Sequence, residues 1–245
     1  MKKLNLKDVI QYTTFHPKPS DFTFNWLVKF GKTFYYREGS FCDEIILGSR
    51  RMVFTKKKTE TSLNHPWLFN MVQKDIDEYL ILHRIKEHQS YPAIHYGESH
   101  SKYRGKLAAT DVNHAYWRIA FINGYITEKT YKKGLKIEKN LRNATLANLS
   151  STKEYQVIEE GINYDKYVTY DCEPKKKLAY DNIRFQCYKM MMDLANMLKD
   201  EFICYKVDCI YYKDKPENIK LVQDYFNHLD FEWKQLEVVE RPKKV

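Results

Sequence analysis

At 245 residues, with 43% apolar and 15% aromatic side chains, the chain can bury the core of one large domain or two small ones, which excludes a linker or tail. Forty-one Lys and Arg against 32 Asp and Glu give a formal charge of +9, gathered in runs such as Lys56 to Lys58, Lys132 to Lys136 and Lys175 to Lys177. Such runs suit a phosphate-rich partner or a solvated basic surface.

The N-terminal MKKLNLKDVIQYTTF is basic and has no signal-like apolar stretch, and no run of 18 apolar residues occurs anywhere, so no membrane partner is expected. Cys42, Cys172, Cys187, Cys204 and Cys209 include no CxxC pair and read as reduced thiols, giving an expectation of a cytoplasmic protein.

Residues 20 to 56 alternate aromatic and polar types in FTFNWLVKF, KTFYYREG and EIILGSRRMVF, predicting a small antiparallel sheet. From Asn64 to His88 the spacing turns helical behind an Asn-His-Pro start, with Leu68, Met71, Val72, Ile76, Tyr79 and Leu80 as the apolar stripe. YPAIHYGESHSKYRG suits an exposed connection, so residues 1–95 are expected to form one module and 96–245 another.

KLAATDVNHAYW then predicts a strand, and residues 127 to 149 a helix or helical pair broken near Gly134. Residues 179 to 200 predict a long helix whose methionines read as core. EFICYKVDCIYYKD is a hairpin or a single long strand, followed by a helix from Pro216 and a final strand in FEWKQLEVVE.

Asp is depleted from strand interiors because its carboxylate is expensive to desolvate, so Asp111 after LAAT and Asp208 inside YKVDCIYY each need an explanation. Either could lie at a strand end or face solvent. As a pair on neighbouring strands they could instead hold divalent ions for phosphoryl chemistry, for which hard oxygen ligands suit Mg2+ or Mn2+.

Asp111-Val112-Asn113-His114-Ala115-Tyr116-Trp117 resembles motif A of family B DNA polymerases, D-x-x-S-L-Y-P, and especially its form in protein-primed phage enzymes. Cys204-Tyr205-Lys206-Val207-Asp208-Cys209-Ile210-Tyr211 is similar to their motif C, Y-x-D-T-D-S-I-Y, with Asp208 at the second Asp. Lys139-Asn140-Leu141-Arg142-Asn143-Ala144-Thr145-Leu146-Ala147 is similar to motif B, K-x-x-x-N-S-x-Y-G. The order A, B, C is that of the family, and the resemblance covers residues 95 to 240.

The resemblance implies an α+β fold: a polymerase-like palm with an antiparallel sheet backed by helices, short helical fingers and a small β-rich N-terminal module. It implies metal ligation by Asp111 and Asp208, a sugar contact by Tyr116, and nucleotide binding by Lys139, Arg142 and Asn143. The implied partners are DNA or another nucleic acid, nucleoside triphosphates, and replication or virion proteins. The implied setting is a phage or mobile element, in the host cytoplasm or a virion.

Lys206 stands where the family has the first Asp of D-T-D, His114 where motif A has Ser, and Trp117 where it has Pro. Those departures leave two expectations side by side. One is a minimal metal-dependent nucleotidyltransferase; the other is a degenerate palm that binds nucleic acid or serves in a virion. On a strand, Lys206 and Asp208 would share a face, placing an ammonium beside the metal ligands. A nuclease would need a further acidic ligand, for which Glu159, Glu160 and Asp171 are available.

Overall fold

The computed structural model describes residues 13–17, 33–38, 42–47, 50–55, 66–88, 90, 92–159, 162–170 and 173–237. The FTFNWLVKF segment and the run Lys56 to Lys58 lie outside these residues. In chain order the strands are β1 (Thr13–Pro17), β2 (Phe34–Arg37), β3 (Cys42–Leu47), β4 (Arg50–Thr55), β5 (His95–Gly97), β6 (Leu107–Val112), β7 (Lys153–Glu159), β8 (Ile162–Tyr170), β9 (Phe202–Lys206), β10 (Cys209–Lys213) and β11 (Trp233–Glu237). The α-helices are α1 (Pro66–Leu82), α2 (Ala115–Ile122), α3 (Glu128–Leu135), α4 (Lys139–Ala147), α5 (Pro174–Leu198) and α6 (Pro216–His228). The protein is α+β.

The chain divides into two compact units: Met1–Pro66 with Ser150–Pro174, and Trp67–Leu149 with Lys175–Val245. The first unit is built on a six-stranded sheet of order β1-β4-β3-β2-β7-β8. Strands β2, β3 and β4 form the expected antiparallel meander, while β1 adds to β4 in parallel. Phe34, Ile45 and Ile158 bury together. Strands β7 and β8, from a stretch that had no assigned element, join the N-terminal strands through Tyr35↔Val157 pairing.

The second unit has a five-stranded antiparallel sheet of order β11-β6-β10-β9-β5. Alternation along each strand puts Ala108 and Val112 of β6, Ile210 and Tyr212 of β10 and Tyr205 of β9 into the same core as the helices. Helix α1 brings Leu68, Val72 and Ile76 at four-residue spacing into that core, so it belongs to this unit and not with the N-terminal strands. The boundary therefore falls at Pro66 and again at 149/150 and 174/175, not at the connection near residue 95.

Helix α5 carries Ala179, Ile183, Cys187, Met191 and Leu194 fully or nearly buried against the sheet core, as its methionine stripe predicts. Asp75 of α1 accepts from the Thr127 amide and hydroxyl at 2.8 and 2.9 Å, anchoring the start of α3. The strand expected to run from 106 to 117 ends at Val112. His114 then adopts φ 56°, and the chain continues as α2, whose Ala115, Trp117, Ile119 and Ala120 are buried. Burial of this apolar face outweighs the strand propensity of Tyr116 and Trp117. Among the described residues no helix is long and apolar enough to cross a membrane.

Candidate active site

Asp111 is the penultimate residue of β6, an interior strand. The neighbouring β10 pairs antiparallel with Cys209 opposite Asp111, and the β9–β10 hairpin closes with Lys206 opposite Cys209. Val207 and Asp208 are thus the two turn residues, and Asp208 sits beside the end of β6. The Val112 amide donates to the Asp208 carbonyl at 2.9 Å, carrying the ladder one step past the strand.

Val207 has φ 59°, a conformation that a β-branched residue rarely adopts, so the turn is strained at the residue before the carboxylate. The buried Cys187 thiol of α5 donates to the Val207 carbonyl at 3.8 Å and holds the turn from below. Burial pushes that thiol far above its ordinary pKa, so it is a packing group and not a nucleophile.

The two carboxylates feel one another. Desolvation raises the pKa of Asp208 above the ordinary aspartate value, the charge of Asp111 raises it further, and Lys139 works against both. Lys139 Nζ lies 3.4 Å from Asp208 Oδ2, and Lys234 Nζ lies 3.4 Å from Asp111 Oδ2. The side chains of Asp208 and Asp111 are 19% and 15% exposed, so the pair is sheltered yet open to a small solute.

The ammonium groups at these carboxylates are therefore those of Lys139 and Lys234, not Lys206. Lys206 is exposed at the last position of β9. The face-sharing expected for Lys206 and Asp208 fails because the chain reverses between them, which ends the strand periodicity.

Lys139 is the first residue of α4, a poor place for a cation given the helix dipole, and its contact with Asp208 compensates. Asn143 lies four residues on, on the same side of α4, half-buried. Arg142 is only 2% exposed. Its Nη1 donates to the carbonyls of Gly134, Leu135 and Ile137 at 3.1, 3.2 and 2.6 Å, and its Nη2 meets His114 Nδ1 at 2.6 Å.

Tyr116 is in the first turn of α2, its hydroxyl 2.8 Å from that of Tyr188 on α5, and burial pushes its pKa well above the usual phenol. Arg184 donates to the Tyr188 hydroxyl at 3.4 Å and lies over the Tyr180 and Tyr188 rings. Lys234 and Tyr188 are neighbours that the motif matches did not include, and His114, at the Ser position of motif A, carried no role there. Lys234 could be found only from strand register, which pairs it with Asp111.

Among the described residues no group of three or more His, Cys, Asp or Glu side chains converges on one ion. Glu159 ends β7 in the other unit, and Glu160 and Asp171 lie outside the described residues. The donor set is two carboxylates. That set fits Mg2+ or Mn2+, which retains several waters and is held by one or two carboxylates together with substrate phosphates. Comparison with protein-family models, curated proteins and solved structures finds no match to this chain.

Proposed function

We propose that the second unit is a polymerase-like palm, with α3 and α4 as reduced fingers, that adds nucleotides to a primer or protein hydroxyl. The observation that supports this reading is that Asp208, in the turn before β10, lies beside the end of β6 that carries Asp111, with Lys139 at the Asp208 carboxylate. Asp111 and Asp208 would hold Mg2+ or Mn2+, which when bound supplies Lewis-acid activation of the attacking hydroxyl and of the leaving pyrophosphate.

The protein's own groups would do the rest. Lys139 exchanges its Asp208 contact for a nucleotide phosphate, and Asn143 on the same side of α4 offers an amide to the nucleotide. Tyr116, held by Tyr188, would lie beneath the sugar. Arg142 supports Lys139 from behind. The partners under this reading are nucleic acid, nucleoside triphosphates and replication proteins, in a host cytoplasm.

A degenerate palm that binds nucleic acid or serves in a virion is the second reading, favoured by the lysine at each carboxylate, which balances the pair without a cation. One assay separates them. Primer extension with labelled nucleotides and Mg2+ is expected to be abolished by Asp111→Asn and by Asp208→Asn. If the wild-type protein incorporates nothing while both variants bind DNA as it does, the second reading holds.

A further inference from the structure

His114 and Arg142 join the strand end that follows Asp111 to the helix that carries Lys139. A guanidinium has donors only, so the 2.6 Å contact from Arg142 Nη2 makes His114 Nδ1 an acceptor and leaves the ring proton on Nε2. Nη1 of the same guanidinium binds the carbonyls of Gly134, Leu135 and Ile137, which are the last groups of α3 and its link to α4. Nε is buried without a partner. One side chain thus fixes how α4 leaves α3 and ties that corner to the turn after β6.

We propose that the Arg142–His114 contact is a clasp that positions Lys139 against Asp208, and that neutral His114 is its closing element. Lys139 begins α4 one turn before Arg142, so the direction of its side chain depends on where the guanidinium holds that helix. His114 keeps a left-handed backbone at φ 56° in order to face it.

Protonated His114 would present a second cation at hydrogen-bond distance from Arg142, and the clasp would open. The charged groups acting on the ring are Arg142 and Lys139 from α4 and Glu232 from the approach to β11. Burial first, then Arg142 and Lys139, hold its pKa below the ordinary histidine value, against Glu232, so the clasp is closed at neutral pH.

The consequence for nucleotide addition rests on the function proposed above, but the clasp itself is testable without it. In the full-length protein labelled with 15N-histidine, His114 should show the Nε2–H tautomer at neutral pH. A resonance with Nδ1 protonated at neutral pH would overturn the assignment. The reactivity of Lys139 at pH 8 toward acetic anhydride, read by peptide mass spectrometry, tests the positioning. Arg142→Met and His114→Leu should raise it by about two- to fivefold, the size of a partly exposed ion pair.

His114→Asn keeps an oxygen acceptor and suits a left-handed backbone, so Lys139 should react there as in the wild type. Lys132, paired with Glu128 on the surface of α3, is the control and should not change. Unchanged Lys139 reactivity in His114→Leu, or equal reactivity in His114→Asn and His114→Leu, sinks the clasp, even if Arg142→Met fails to fold. If the clasp holds and the wild type adds no nucleotide, it is the proposed reaction that fails.

Discussion

Lys139 Nζ reaches Asp208 Oδ2 at 3.4 Å across 69 positions of sequence, joining the first residue of a helix to the turn of a hairpin. The contact only partly offsets what burial and Asp111 do to Asp208, whose pKa remains above the ordinary value.

That direction fixes a stability prediction. A carboxyl whose folded pKa exceeds its unfolded one binds its proton more tightly in the folded state. Its stabilising contribution is present at low pH and lost as pH rises through the folded value. At neutral pH the ionised group is a net loss, so Asp208→Asn should melt about 2 °C higher than the wild type in chelator, even as it abolishes metal-dependent activity. Differential scanning calorimetry reads the effect; a lower melting temperature for Asp208→Asn would contradict it.

Lys234 pairs with Asp111, and under the proposed function it would compete there with a cation. Lys234→Met should therefore lower the Mg2+ concentration needed for half-maximal incorporation by about threefold, in line with a half-exposed ion pair. An unchanged Mg2+ requirement would show that Lys234 moves aside without cost.

Gly134→Ala should destabilise, although alanine ordinarily improves a helix by about 1 kcal/mol. A Cβ at Gly134 would enter the indole of Trp117, which is fully buried and donates Nε1–H to the Tyr131 carbonyl at 3.1 Å. Overpacking of this kind costs about 1–3 kcal/mol, measurable as a lower urea midpoint.

In the other unit, Glu44 is a nearly inaccessible carboxylate that accepts from Arg37 at 3.0 Å, Lys153 at 2.8 Å and the Tyr155 hydroxyl at 2.8 Å. Removing it leaves the partly exposed Arg37 and Lys153 cations and the buried Tyr155 hydroxyl without this acceptor, so Glu44→Ala should lose about 1–3 kcal/mol. Chemical denaturation followed by tyrosine fluorescence would read this, and a loss below about 1 kcal/mol would mean that water enters the site.

Much of the second unit was legible from the chain. The Leu68, Val72, Ile76 spacing marks α1, Pro216 marks the start of α6, and the break expected near Gly134 falls at residues 136–138, between α3 and α4. The end of β6 was not, because HAYW carries strand-like aromatics and only the left-handed His114 and the core beneath Trp117 turn it into helix. The domain boundary was missed for a related reason. Composition marks the exposed connection near residue 95, whereas β2, the partner of β7, lies more than 100 positions upstream and leaves no local trace.

At the site, motif spacing brought Asp111, Asp208 and Lys139 forward; Lys139 contacts Asp208, while the side-chain partner of Asp111 is Lys234. Lys206 misled because period-two reasoning holds only while the strand continues. Arg142 looks from sequence like a surface cation of a basic helix, and its burial on carbonyls depends on how α3 and α4 fold back, which spacing does not encode.

The segment 150–174, which leaves the second unit and returns to it, has a consequence for synthesis. Thr110 bonds Tyr212 across 102 positions, so β6 waits for β10 while the ribosome adds that stretch, about 5–20 s at ordinary elongation rates. The described strands of the first unit have all been synthesised by Tyr170, before any of β9, β10 or β11 exists. The nascent chain therefore carries a completed set of N-terminal strands beside a half-built sheet with β6 unpaired, the interval in which a chaperone would find its target.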